Sequence, residues 1–142
     1  LCNPPVVGER YKGGAMQQKN ILLVEDEDNI AFALEFLIGR MGHKLHRVDD
    51  GEAALEALET EPVDMVVLDV MLPKRSGYEI CQYIRSKDAL KDVKVLMMTA
   101  GGGAMERRKG LALGANAFLT KPFANTELTE KITELLGQDT HA

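Results

Sequence analysis

Five side chains carry the chemistry open to this sequence: Glu25, Asp26, Asp69, Thr99 and Lys121. Each stands at the end of a short apolar run. Ile21-Leu22-Leu23-Val24 precedes Glu25-Asp26, Met65-Val66-Val67-Leu68 precedes Asp69, Val93 to Met98 precedes Thr99, and Ala117-Phe118-Leu119 shortly precedes Lys121-Pro122. If the runs are neighbouring parallel strands, three carboxylates, a hydroxyl and an ammonium meet at one edge of a sheet. Carboxylates crowded in this way raise one another's pKa or demand a counter-charge. One lysine cannot neutralise three acids, and hard oxygen ligands with room for water suit Mg²⁺. With the cation bound, a carboxylate can attack an electrophilic phosphorus in line, and metal and ammonium absorb the charge on the equatorial oxygens. A nucleotide phosphate is a poor fit, because the loop "VEDEDN" has no glycine, serine or threonine to form an amide cradle.

The elements that must position these groups alternate along the chain. Ile30, Leu34, Leu37, Ile38 and Met41 recur at helical spacing after the first run, with Gly42 as the stop. Leu45 and Val48 mark a less buried second strand, and Asp50-Gly51 opens a helix carrying Ala54, Leu55 and Leu58. Tyr78, Cys81 and Ile84 stripe a third helix, and a weaker one covers roughly 104 to 113. Leu128, Ile132, Leu135 and Leu136 stripe the last, with Asn125 as its expected cap. Strand and helix thus alternate five times. Continuous apolar strands imply burial on both faces, hence a parallel sheet between two helical layers. Right-handed crossovers leave few topologies, and a doubly wound (βα)5 flavodoxin-like order is the simplest, with its site at the carboxyl ends of the strands.

Bulk properties exclude several alternatives. The chain has 142 residues, a size typical of one domain, and a net charge of -5 argues against nucleic-acid binding by this chain. No apolar run approaches ~20 residues, so no membrane span is expected. Cys2 and Cys81 form neither a metal motif nor a disulfide framework, which predicts a cytoplasmic protein. Residues 1–19 lack periodicity and read as a disordered or vector-derived leader with Met16 as the native start. Residues 20–137 form the domain and 138–142 a short tail. His43, His46 and His141 show no partners in the sequence and receive no role.

"ILLVEDEDN", "VVLDVMLPKRSG", "LMMTA" and "GANAFLTKPF" stand in one order, with 43 residues from Asp26 to Asp69, 30 on to Thr99 and 22 on to Lys121. In this the chain resembles the receiver domain of two-component response regulators, over residues 20 to 136. The resemblance implies the CheY-like receiver fold and a Mg²⁺-dependent phosphorelay switch. Asp69 then corresponds to the phosphoacceptor, and Glu25 and Asp26 to the metal-binding acids, Glu25 through water. The Met71 backbone carbonyl corresponds to a further metal ligand. Thr99 corresponds to the switch hydroxyl, Lys121 to the lysine that pairs first with the acceptor and then with phosphate, and Phe118 to the aromatic switch that turns inward. Lys121-Pro122 is a candidate cis peptide. The implied partners are a histidine kinase or histidine phosphotransfer protein, which donates the phosphoryl group, and an output protein or fused output domain that reads the α4–β5–α5 surface.

Two features depart from the family pattern. Gly101, Gly102 and Gly103 follow the switch threonine, which predicts a mobile loop. Ala112, Asn116 and Ala117 stand where one large DNA-binding subfamily carries acids for dimerisation, while Arg107 and Lys131 remain basic, so a monomer or weak dimer is expected. Arg107-Arg108-Lys109 reads as a solvated helix face, Met71-Leu72 and Met97-Met98 as core or loop packing, and Cys81 as a small buried hydrophobe. Two other functions fit the letters. One is a receiver-like interaction module that is not phosphorylated. The other is a phosphatase of the haloacid-dehalogenase type, for which Asp26-Glu27-Asp28 supplies the DxD letters but leaves Asp69 without a role.

Overall fold

The computed structural model describes residues 17–101 and 103–137. The expectations for the leader up to Met16, for Gly102, for His141 and for residues 138–142 lie outside them. Five parallel strands form one sheet in the order β2-β1-β3-β4-β5. They are β1 (Asn20–Val24), β2 (Lys44–Val48), β3 (Met65–Asp69), β4 (Lys94–Thr99) and β5 (Ala117–Thr120). The helices are α1 (Asp28–Arg40), α2 (Gly51–Thr60), α3 (Gly77–Ser86), α4 (Ala104–Ala112) and α5 (Asn125–Gly137).

The sheet forms because its three central strands are almost wholly apolar. In β1, β3 and β4 all but the first residues Asn20 and Lys94 are buried. The edge strand β2, "KLHRV", has no fully buried residue, as an edge that must resist further pairing requires. Successive side chains point to opposite faces, so the sheet divides two cores. Leu22, Val24, Val66, Leu68, Met97 and Phe118 pack with Ala54, Leu58, Ile80 and Ile84 of α2 and α3. Ile21, Leu23, Val67, Met98 and Leu119 pack with Leu34 and Ile38 of α1 and with Leu128 and Ile132 of α5. Each of these larger side chains contributes about 1.5–3 kcal/mol on burial.

Local signals set the helix ends. The Asp50 carboxylate accepts from the Ala53 N–H at 2.8 Å. Ser76 and Glu79 form a reciprocal capping box, at 3.2 and 2.9 Å. Asn125 is not the cap of α5 but its first residue. Glu127 reaches back to accept from the Ala124 N–H at 2.8 Å, so a carboxylate inside the helix satisfies the leading donor. A 3-10 turn at Asp88–Leu90, too short to show periodicity, had no sequence signal.

Candidate functional site

Pairing of β1, β3 and β4 in register places Val24 beside Leu68 and Asp69 beside Met98, so the strands end together. The residues that follow them therefore gather at one rim. Asp69 closes the most central strand and is only 8% exposed. One carboxylate oxygen accepts from the Met71 N–H at 3.0 Å, and the other accepts from Lys121 Nζ at 2.5 Å. The same ammonium donates to Glu25 Oε1 at 3.3 Å. Lys121 is held at the rim by its own N–H, which donates to the Thr99 carbonyl at 2.8 Å, and the Lys121–Pro122 peptide is cis.

Glu25 is fully buried, its second oxygen accepting from the Glu27 N–H at 3.1 Å. Burial raises its pKa, and the Lys121 charge and the Glu27 N–H only partly offset that rise. Burial opposes the charge on Lys121 too. There the hydrogen bond and charge of Asp69, with Glu25 behind it, prevail and hold the ammonium above its ordinary pKa. The ion pair therefore settles the charge of the lysine, while desolvation dominates at Glu25.

Asp26 is exposed beside this pair and has no polar partner among the described residues. Nor do any three acidic, histidine or cysteine side chains among the described residues form a ready-made cation cage. The three carboxylates thus share a rim without meeting at a point, because Lys121 fills the centre between two of them. This donor set still suits Mg²⁺, which is typically held by one or two carboxylates and several waters rather than by an all-protein cage. The Met71 side chain is 78% exposed, so Met71 contributes no packing, whereas Leu72 borders the core beneath α2 and α3. Asp28 turns to Arg47, 3.0 Å away, so the Asp26-Glu27-Asp28 run does not bring its outer acids together on a common ligand.

Thr99, 2% exposed, does not point to an open rim. Its hydroxyl donates to Glu106 Oε1 at 3.0 Å and accepts from the Gly101 N–H at 3.2 Å. Phe118 lies inward already, 4% exposed, with its ring against Gly110 of α4 and Met97. Asn116 Oδ1 accepts from Arg85 Nη2 and from the Val95 N–H, each at 2.8 Å.

Sequence reasoning missed Glu106 and Arg47. Arg47 donates through Nε and Nη2 to the Glu25 carbonyl, at 2.9 and 2.7 Å, and so braces the acidic loop from the edge strand. Its one sequence signal was a basic residue in a strand facing an acidic loop. Two histidines do have partners: His46 Nδ1 lies 2.8 Å from Glu61 Oε1, and His43 Nδ1 accepts from the Lys19 N–H at 3.1 Å. Cys81 is buried as expected, with its thiol 3.4 Å from the Leu113 carbonyl.

Comparison with known proteins places the fold in one family. The family described as response regulator receiver domain matches residues 21–133. The alkaline phosphatase synthesis transcriptional regulatory protein PhoP of Bacillus subtilis is 39% identical over 83% of this chain and 48% of its own length. The sensory transduction protein RegX3 of Mycolicibacterium smegmatis is 38% identical over 82% of this chain and 50% of its own. The chain thus spans about half the length of these curated relatives. Among solved structures, the receiver domain of a signal transduction histidine kinase from Syntrophus aciditrophicus superposes with a TM-score of 0.81 at 26% identity, covering 87% of this chain and 94% of that one. The receiver domain of sensor histidine kinase PA1611 of Pseudomonas aeruginosa, solved with magnesium coordinated in its active-site cleft, gives 0.78 at 29% identity, covering 85% and 99%.

Proposed function

Since the chain belongs to the response regulator receiver domain family, which is not a conventional enzyme family, we propose that Asp69 is its phosphoacceptor and that residues 20–137 act as a phosphorelay switch. The observation that carries this is the grip of Lys121 on Asp69 at 2.5 Å, with buried Glu25 on the same ammonium. A nucleophilic carboxylate needs its charge held in place yet available, and the strand end fixes it within reach of the rim. In the transfer, an Asp69 oxygen forms a bond to phosphorus as the bond from phosphorus to the donor's imidazole nitrogen breaks. Lys121, already bonded to that carboxylate, follows the charge onto the phosphoryl oxygens. Thr99 supplies a hydroxyl for one of those oxygens. Glu25, Asp26, Asp69 and the Met71 carbonyl would hold Mg²⁺, which when bound neutralises the charge that develops on the phosphoryl group. The same groups let the domain assist its own phosphorylation and its later hydrolysis.

The donor we propose is a phosphohistidine on a histidine kinase or phosphotransfer protein. An apolar groove lined by Ile30, Ala33, Leu37, Ala100, Pro122 and Phe123 opens beside Lys121 and would seat such a partner. The relatives' extra length supports an output domain or separate output partner reading α4–β5–α5. Phe118, inward here, would report on that surface through Gly110. Asn116 is occupied within its own chain, and Ala112 and Ala117 offer no charge, which supports a monomer or weak dimer. No helix among the described residues is long and apolar enough to cross a membrane, and the cytoplasm is the compartment this reading implies.

The test is intact mass after treatment with acetyl phosphate and Mg²⁺, wild type against Asp69→Asn. One added phosphoryl group is expected in the wild type alone. Equal labelling of both would remove Asp69 from the mechanism, and no labelling of the wild type would favour the unphosphorylated interaction module.

A further inference from the structure

The Thr99 hydroxyl has one proton to donate, and here Glu106 accepts it. The carboxylate comes from the first turn of α4 and reaches back over the β4–α4 connection to meet the hydroxyl at 3.0 Å. The connection is shaped to allow this. A Cβ at Gly101 would lie 3.0 Å from Glu106 Oε1 and 3.3 Å from Oε2, so a larger residue would push the carboxylate away.

Little else fastens this end of α4. Gly110 is its only buried residue, Met105 is 74% exposed, and the helix start at Gly103 has no side-chain cap. The remaining ties are polar and weak: Tyr78 Oη to the Glu106 carbonyl at 3.4 Å, and Lys109 Nζ 4.4 Å above the Tyr78 ring. A hydrogen bond to a carboxylate is stronger than either.

We propose that Glu106 is a latch that competes with the phosphoryl group for Thr99. The inference rests on the reading of Asp69 as phosphoacceptor and extends it to regulation. If Thr99 donates to a phosphoryl oxygen, Glu106 loses the one hydroxyl donor it has among the described residues. It is then left without that donor on the far side of the hydroxyl from an anionic group, whose charge Lys121 and Mg²⁺ only partly offset, and like charges in a partly buried site repel. Phosphorylation therefore expels the Glu106 carboxylate and frees the first turn of α4. Linkage makes the effect reciprocal: whatever holds Glu106 on Thr99 opposes the phosphorylated state by the same factor.

The experiment compares wild type, Glu106→Ala, Glu106→Gln, Thr99→Ala and the Thr99→Ala/Glu106→Ala double variant. Two quantities are read: amide hydrogen exchange in α4 without any phosphodonor, and affinity for beryllofluoride with Mg²⁺. Glu106→Ala should speed exchange several-fold at the first bonded amides of α4, from Arg107 onward. Thr99→Ala should do the same, and the double variant should exceed neither, because all three lose one shared bond. Beryllofluoride should bind Glu106→Ala about 5- to 10-fold more tightly than wild type. Glu106→Gln, which keeps an acceptor but loses the charge, should fall between them. A merely structural role for Glu106 would loosen α4 but leave anion affinity unchanged or lower it. Wild type that binds beryllofluoride while Glu106→Ala binds no better would overturn the latch alone. Wild type that neither binds beryllofluoride nor accepts phosphate would overturn the phosphoacceptor reading, and the latch with it. Additive exchange effects in the double variant would show that Thr99 and Glu106 do not act as a pair.

Discussion

Gly110→Ala places one methyl group where α4 meets the Phe118 ring. A Cβ there would lie 2.2 Å from Phe118 Cε1, 2.4 Å from Cζ and 3.0 Å from Met97 Sδ. Unstrained carbon contacts lie near 3.5–4.0 Å, so the ring or the helix must move by more than about 1 Å. Phe118 is 4% exposed and Met97 fully buried, so neither side chain can give way toward solvent without leaving the core. Alanine contributes about 1 kcal/mol of helix preference over glycine. Overpacking costs about 1–3 kcal/mol, and ejecting the ring would cost more. Contacts this short put the cost at the upper end of that range, so we expect a net loss of about 2 kcal/mol, which lowers Tm by roughly 4–8 °C in a domain of this size. Thermal and urea unfolding of Gly110→Ala, Phe118→Leu and the double variant measure it. With the ring removed, the alanine should be nearly neutral or stabilising. Gly110→Ala as stable as its parent, or equally harmful in the Phe118→Leu background, would refute the reasoning.

Two further outcomes concern protonation. Burial holds Glu25 above its ordinary pKa of 4.5, so its contribution to stability is fully present below pH 4.5 and is lost as pH rises through the folded-state value. Because Lys121 keeps its bond to Asp69 when the Glu25 charge is removed, Glu25→Gln should be more stable than wild type in EDTA at neutral pH. That advantage should fade on acidification and narrow when Mg²⁺ is added, and a variant less stable in EDTA would contradict this. His43 is 6% exposed, its Nε2 has no partner among the described residues, and burial, helped by the charge of Lys19 and opposed by Asp64, lowers its pKa below 6.5. Its contribution is fully present above pH 6.5 and is lost as pH falls through the lowered value. The urea midpoint of wild type should thus drop more steeply between about pH 7.5 and pH 5 than that of His43→Gln. Parallel curves would clear His43 of any part in acid sensitivity.

The sheet could be read from the sequence because its strands are continuous apolar runs closed by polar residues. Glu25, Asp69 and Lys121 followed from that reading, since a residue just past a strand end in a parallel sheet has only one rim to occupy. What could not be read depends on side chains that cross between loops. Glu106 lies seven positions beyond Thr99 on a helix with almost no apolar stripe, so periodicity gives no sign that it reaches back. Arg47 is one polar residue among several on an edge strand, and its bonds to the Glu25 carbonyl depend on how that loop folds. Asp26 was expected among the converging acids, and it follows Glu25 at the same rim but is exposed and takes no part in the pairing by which one ammonium serves Glu25 and Asp69 together. The exposed Met71 shows the limit of apolarity as a guide in a loop.

The close seat of α3 on the end of β3 has a mechanical consequence. A Cβ at Gly77 would lie 2.4 Å from the Asp69 carbonyl oxygen and 3.0 Å from Val70 Cα, and the Gly77 N–H donates to the Val70 carbonyl at 2.9 Å. Main chain rests on main chain there, with no flexible side chain between them to yield. The strand bearing Asp69 is thus the stator of the device. If Asp69 is phosphorylated as proposed, the yielding part lies on the β4–α4 side, where a single glycine meets an aromatic ring and one acid tethers a helix.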